Sequence, residues 1–208
     1  MPRPLPAEVL ALTAGDADAV RAHLLAAAHR VIAAKGLAAA STRAIAEEAG
    51  VSGGTLYNYF DNHTDLLAKA IAGRAATITR PIATLPTRAG RATVADNLAG
   101  FVRQAAVILD ELVPALAAAF SDGDLLAAVR RELAAVDPVD DPARLVERYL
   151  LAERELGRVD AAADCRAAAS LVVTICHDDA FNRYLHGAGR RATSRRREIA
   201  LIVRSITS

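Results

Sequence analysis

The stretch STRAIAEEAGVSGGTLYNYF, residues 41–60, decides how the rest of the chain is read. Ser41 is a helix-capping residue, and Ile45, Ala46 and Ala49 follow it at helical spacing to define one inward face. Gly50 can take the left-handed conformation that ends a helix, and Ser52 is a second cap residue just beyond it. The spacing predicts a further helix with Leu56, Tyr59 and Phe60 on one face, ending near Asp61. Two short helices joined by AGVS, a turn of three or four residues containing glycine, make a helix-turn-helix. Three glycines, two tyrosines and a phenylalanine fall within residues 50–60 of a chain that has only four Tyr and four Phe, so the stretch has a composition of its own.

In such a motif the second helix enters the major groove of DNA with its N-terminal residues toward base edges, while the first crosses the backbone. With Leu56 and Phe60 turned inward, Gly53, Gly54, Thr55, Tyr57 and Asn58 are expected on the outer and leading faces. Each glycine in a first helical turn costs up to about 1 kcal/mol relative to alanine, less near the end, and close approach of backbone to a ligand would account for that cost. The N–H groups exposed there suit a phosphate or a base acceptor. The hydroxyls of Thr55, Tyr57 and Tyr59 can bond phosphate oxygens, and Asn58 can pair with adenine or with a phosphate. Arg43, in the first turn of the preceding helix, is the nearest cation. A glycine pair alone is usually a loop and a lone tyrosine is usually half-buried core; their combination in a capped helix-turn-helix is what points to DNA.

Outward from the motif the chain reads as all-α. It has 208 residues, 53% of them hydrophobic, and much of that excess is alanine, the best helix former and a poor strand residue. The net charge of +1 excludes neither nucleic acid nor small-molecule partners. No apolar run approaches the roughly 20 residues of a membrane span, and the prolines of MPRPLPAEVLALTAG interrupt any signal-peptide pattern, so a cytoplasmic protein with no membrane partner is expected. Residues 1–15 read as an arm with a short helical turn at Glu8 to Leu12. A first helix starts at Asp16 or Asp18 and is closed by Gly36, and a fourth runs from Thr64 to about Arg80, where Pro81 breaks it. Further helices are expected at about 93–112, 114–120, 124–136, 142–157, 160–185 and 193–206, with DPVDDP and HGAG as breakers. Cys165 and Cys176 lie in one helical pattern about 16 Å apart, too far for a disulfide, and read as buried thiols.

The run LLAAAHRVIAAKGLAAASTRAIAEEAGVSGGTLYNYFDNHTDLL, with AGVSxGTLYxYF followed by a Leu-Leu pair, resembles the N-terminal domain of the TetR family of transcriptional regulators over about residues 21–67. The resemblance implies a three-helix DNA-binding domain at 16–65 after the arm at 1–15, and a helical effector-binding and dimerisation domain at 66–208. It implies a homodimeric repressor on double-stranded, palindromic operator DNA, released by a small-molecule effector. By position it implies DNA contacts from Thr42, Arg43, Gly53, Gly54, Thr55, Tyr57, Asn58, Tyr59 and His63. Two departures stand out: Gly53 and His63 occupy places where the family often has lysine. Between Asp16 and Lys69 the cations Arg21, Arg30, Lys35, Arg43 and Lys69 are outnumbered by Asp16, Asp18, Glu47, Glu48, Asp61 and Asp65. A reading head that is not basic should bind DNA with a shallow salt dependence, unless Arg3 in the arm adds a contact.

SLVVTICHDDAFNRYLH, residues 170–186, is the other stretch with chemistry in it. His177, Phe181 and Tyr184 share a helical face beside Thr174, Asp178 and Asn182. These groups are ordinary internal pairings, the wall of a ligand pocket, or a metal site. The last is disfavoured because Asp178 and Asp179 point apart and no second histidine stands four residues after His177. Phe101, Gln104, Tyr149, His177 and Phe181 are the candidate effector residues. Ile199, Ile202, Val203 and Ile206 form an apolar stripe that must bury against something; the resemblance implies, with Leu171 and Ile175, a dimer interface, and packing within its own chain is the alternative. No metal or cofactor is assigned. A regulator that answers to a protein partner or to no ligand is an alternative. An enzyme built on His177, Asp178 and Asp179 lacks a recognisable arrangement of nucleophile and base and is not expected.

Overall fold

The computed structural model describes residues 6–7, 9–10, 16–135, 141–187 and 194–207, so most of the arm, Arg3 within it and the DPV segment lie outside the described residues. The described chain is all-α: α1 (Ala17–Lys35), α2 (Thr42–Ala49), α3 (Gly53–Leu56), α4 (His63–Ala83), α5 (Val94–Ala119), α6 (Gly123–Ala135), α7 (Pro142–Glu155), α8 (Cys165–His186) and α9 (Ser194–Ile206), with short 3₁₀ turns at Leu37–Ala39 and Leu85–Arg88. No helix among the described residues is long and apolar enough to cross a membrane.

Two compact units divide the chain: Met1–Ala76 with Pro114–Asp137, and Thr77–Val113 with Pro138–Ser208. The first is organised around Val20, Leu24, Ala28 and Val31 of α1, Ile45, Ala46 and Ala49 of α2, Leu56, Phe60, and Leu66, Leu67, Ala70 and Ile71 of α4. Alanines at 27, 28, 46 and 49 let these short helices approach closely. In the second unit Leu98 and Phe101 of α5 pack with Leu145, Tyr149 and Leu150 of α7, Val172 of α8 and Ile199 of α9.

Three helix expectations are corrected. Pro81 lies inside α4, which continues to Ala83, and Pro114 lies inside α5, so the two helices expected at 93–112 and 114–120 are one. A proline removes one internal hydrogen bond, which a helix anchored by buried residues on both sides can sustain. The recognition helix is a single turn, Gly53–Leu56. It finishes in tighter bonds, from Asn58 N–H to the Thr55 carbonyl at 3.1 Å and from Tyr59 N–H to that of Leu56 at 3.0 Å. Two glycines followed by Tyr57, Asn58 and Tyr59 are weak helix formers, so the α-helical pattern does not propagate.

The α9 stripe also turns out differently. Ile199, Ile202 and Ile206 are buried in the core of their own unit and Val203 is half-buried against it. The three isoleucines are therefore withdrawn from the surface of this chain, whereas Val203 is only partly so. Large apolar side chains are exposed on several elements, among them Val107 and Phe120, and a group of them lies on α8, where Leu171, Phe181 and Leu185 are 54%, 56% and 56% exposed, with Tyr184 beside them and Leu201 on α9.

Candidate nucleic-acid interface

The turn between α2 and α3 is built by backbone hydrogen bonds. Gly50 sits in the left-handed region at φ 68°, ψ 28°. Its N–H donates to the Glu47 carbonyl at 3.2 Å, and the Val51 N–H reaches the Ala46 carbonyl at 2.9 Å. This paired closure requires a residue that tolerates positive φ. Ser41 caps the front of α2, its hydroxyl accepting from Ala44 N–H at 3.2 Å. His23 of α1, which carried no signal in the sequence, bonds through Nε2 to the Ala49 carbonyl at 2.9 Å and anchors the end of α2.

Gly53 and Gly54 need no such explanation from within. Both have ordinary helical backbones. A Cβ added at Gly53 would meet nothing within 4 Å, and one at Gly54 only the Ser52 Oγ at 4.0 Å. Beside them Tyr57 is 58% exposed and Asn58 is exposed, while Tyr59 is half-buried against the core. Thr55 departs from expectation: it is 2% exposed, not on the outer face. Its Oγ1 lies 2.9 Å from the Ser52 hydroxyl, so it braces the tip from behind. Ser52, expected as a cap, makes no side-chain bond to the helix backbone and makes this contact instead.

The structure brings two of the predicted residues together across helices. Thr42 Oγ1, at the start of α2, lies 3.3 Å from Nδ1 of His63, at the start of α4. Asn62 fixes that start, its Oδ1 accepting from Asp65 N–H at 2.9 Å. Burial lowers the pKa of His63 below the ordinary imidazole value. Neutral His63 therefore supplies no fixed positive charge where a lysine would.

The cations around the tip are engaged by their own chain. Arg43, with an 88% exposed side chain, pairs with Glu47 at 2.8 Å, and that carboxylate raises its pKa. Arg30 pairs with Glu48 at 2.6 Å, and Lys69 with Asp65 at 2.5 Å. Arg21 lies over the Phe60 ring at 5.5 Å. The surface that surrounds Gly53, Gly54, Tyr57 and Asn58 thus presents backbone, hydroxyl and amide groups more than free charge.

Residues 24–70 match the family described as bacterial regulatory proteins, tetR family. Over this segment the chain is similar to the N-terminal domain of that family. Solved structures extend the likeness to the fold of nearly the whole chain. A TetR-family transcriptional regulator from Mesorhizobium loti superposes with TM-score 0.74 at 17% identity, covering 92% of this chain and 98% of its own. SmeT, the repressor of the SmeDEF multidrug efflux pump of Stenotrophomonas maltophilia, does so with TM-score 0.63 at 18% identity, covering 90% of each chain. FadR of Bacillus subtilis in complex with stearoyl-CoA gives TM-score 0.61 at 19% identity, over 89% of this chain and 98% of its own. Among curated protein sequences none matches.

In the second unit of this TetR-type fold the candidate effector residues do not converge. Phe101 and Tyr149 are core residues, whereas Gln104, His177 and Phe181 are exposed. Asp178 is exposed and takes the Asn182 amide at 3.0 Å, and Asp179 is buried and paired with Arg183. The face containing His177 and Asp178 is therefore a surface, not the wall of an enclosed pocket. Tyr149 belongs to a buried polar cluster that the sequence did not reveal. Its hydroxyl accepts from the Asn97 amide at 3.0 Å, and Glu153, one turn on and fully buried, lies 3.3 Å from Arg158. Burial first, and then the Glu153 carboxylate, hold the Tyr149 phenol well above the ordinary tyrosine range. An open cleft of about 400 Å³ in the same unit is lined by Thr93, Val94, Arg158, Asp160, Val203 and Thr207 among others, and by none of the five candidates. Burial pushes the Cys176 thiol up to about 12 and raises that of Cys165. Both are free, inert core thiols.

Proposed function

We propose that the protein is a dimeric DNA-binding transcriptional repressor whose first unit reads a palindromic operator and whose second unit pairs two copies and responds to a small molecule. The observation that carries the DNA-binding reading is the glycine tip. Gly54 has room for a side chain and no backbone need to lack one, so the restriction there comes from something that approaches from outside. The contact set is Thr42, Arg43, Gly53, Gly54, Tyr57, Asn58, Tyr59 and His63. Thr55 positions the tip without touching DNA.

Leu171, Phe181 and Leu185 recur along one side of α8 at i, i+10 and i+14, a self-complementary apolar face of the kind a two-fold dimer buries. Two copies would present their tips to half-sites about one helical turn apart, roughly 34–36 Å. Effector release is supported by the likeness in fold to SmeT, a repressor, and to a FadR that holds stearoyl-CoA. A second reading, in which the second unit answers to a protein partner or to no ligand, is favoured by the burial of Phe101 and Tyr149 in a filled core.

The test pairs sizing with a mobility shift on the duplex immediately upstream of the chain's own coding sequence. The wild type should be a dimer that shifts this DNA. Phe181→Glu with Leu185→Glu should be a folded monomer that binds about a hundredfold more weakly, because the second half-site contact is no longer intramolecular. A dimer that survives both substitutions would discard the α8 interface, and absence of any shift would discard the operator assignment.

A further inference from the structure

The Thr42–His63 contact joins the starts of α2 and α4 and links two members of the proposed DNA-contact set across helices. A neutral imidazole has one ring nitrogen that donates and one that accepts, whereas the charged ring donates from both. If Nδ1 accepts, it consumes the only hydrogen of the Thr42 hydroxyl. Once Nδ1 carries a proton the bond must run the other way, from Nδ1–H to the lone pair of Oγ1. The hydroxyl hydrogen is then released to point outward, and Nε2–H is a second, charge-assisted donor.

We propose that His63 takes up a proton from solvent when DNA binds, and that this proton reverses the Thr42–His63 hydrogen bond so that both residues donate to backbone phosphate. The inference rests on the DNA-binding reading above and adds its pH regulation. No fixed charge nearby accomplishes this in the free protein. On α2, Arg43 and Glu47 neutralise each other at 2.8 Å. On α4, Asp65 is held by Lys69 at 2.5 Å, and Glu48 is held by Arg30 of α1 at 2.6 Å. Asp61, in the turn before α4, is exposed to solvent. Burial is what keeps the ring neutral, and an arriving phosphate is the anion that offsets it. For the free protein the sign is fixed: the folded-state pKa is below the unfolded one, so stability from this site is full above about pH 6.5 and declines as pH falls through it.

The experiment measures binding of the full-length protein to a mixed-sequence duplex of about 40 base pairs, sufficient because phosphate contacts are independent of sequence. Affinity should rise as pH falls from about 8 to 5.5, by up to about tenfold per pH unit where one proton is taken up. His63→Gln should remove that slope, and His63→Lys should bind tightly with no slope. Thr42→Val should lower affinity several-fold at the acidic end and much less at the basic end. In the wild type, the His63 ring resonances should titrate at higher pH in the complex than in free protein. A slope that persists unchanged in His63→Gln, or a His63 titration unmoved by DNA, overturns the proposal and leaves DNA binding standing. No binding at any pH overturns both.

Discussion

In the second unit the Asn97 amide donates to the Arg91 carbonyl at 2.7 Å and to the Tyr149 hydroxyl at 3.0 Å, and the polar chain continues through buried Glu153 to the partly exposed Arg158. In the first unit Thr42 meets His63 and Ser52 meets Thr55, but the residues beside them, Gly54, Tyr57 and Asn58, are open to solvent. Both regions are clusters of hydroxyl, amide and charged groups. One is turned inward, with Glu153 fully buried and its carboxylate oxygens without a hydrogen-bond partner. The other is braced from behind and faces outward with capacity left over. A polar cluster whose composition the fold accounts for is structural, and one whose composition the fold leaves unaccounted for is where function is to be sought.

The sharpest way to break this contrast is to damage the closed cluster. Tyr149 is fully buried, so Tyr149→Ala removes a large core side chain and should cost about 3–5 kcal/mol of stability. Tyr149→Phe, which keeps the ring and loses one hydrogen bond, should cost about 1 kcal/mol. Denaturant unfolding monitored by circular dichroism measures both. Equal, small losses would mean that this cluster does not organise the second unit.

Gly54→Ala probes the open cluster and should give opposite signs in two measurements. With open space around it and a helical backbone, an alanine should raise stability by a few tenths of a kcal/mol and up to about 1. Against DNA the same methyl group should lower affinity about tenfold, roughly 1.4 kcal/mol, because it stands where backbone meets the ligand. Improved stability with unchanged DNA affinity would remove the argument from the glycine tip.

How much of this was legible beforehand differs between the two regions for a physical reason. The helix-turn-helix is local. Ser41, Ile45, Ala46, Ala49 and Gly50 lie within one turn or two of each other, so cap, face and stop can be read from spacing alone, and the structure has them in those roles. Thr55 lies inward although spacing predicts it outward, because its hydroxyl pairs with that of Ser52, a contact that helical projection does not include. The α9 stripe of Ile199, Ile202 and Ile206 was correctly apolar, but periodicity names the buried face of a helix and not what covers it. For the same reason the Asn97–Tyr149 bond, across 52 positions of sequence, and the pairing of Asp110 with Arg183, across 73, leave no trace in any local pattern.

The smallest expected effect concerns charge at the tip. Arg43, Arg30 and Lys69 each already have a carboxylate partner, and exchange of an internal partner for a phosphate releases fewer counterions than neutralisation by a free cation. Each phosphate neutralised outright contributes about 0.9 to the slope of log affinity against log salt, so the wild-type slope should be shallow for a protein of this fold. Gly53→Lys supplies one cation at a position where a Cβ meets nothing within 4 Å. It should steepen the slope by about 0.9 per protomer, about 1.8 for the bound dimer, while leaving the fold intact. A titration of one duplex across a salt series, with both proteins, reads the difference directly. An unchanged slope would place residue 53 away from the phosphates and would move the point of closest approach to Gly54 and Tyr57.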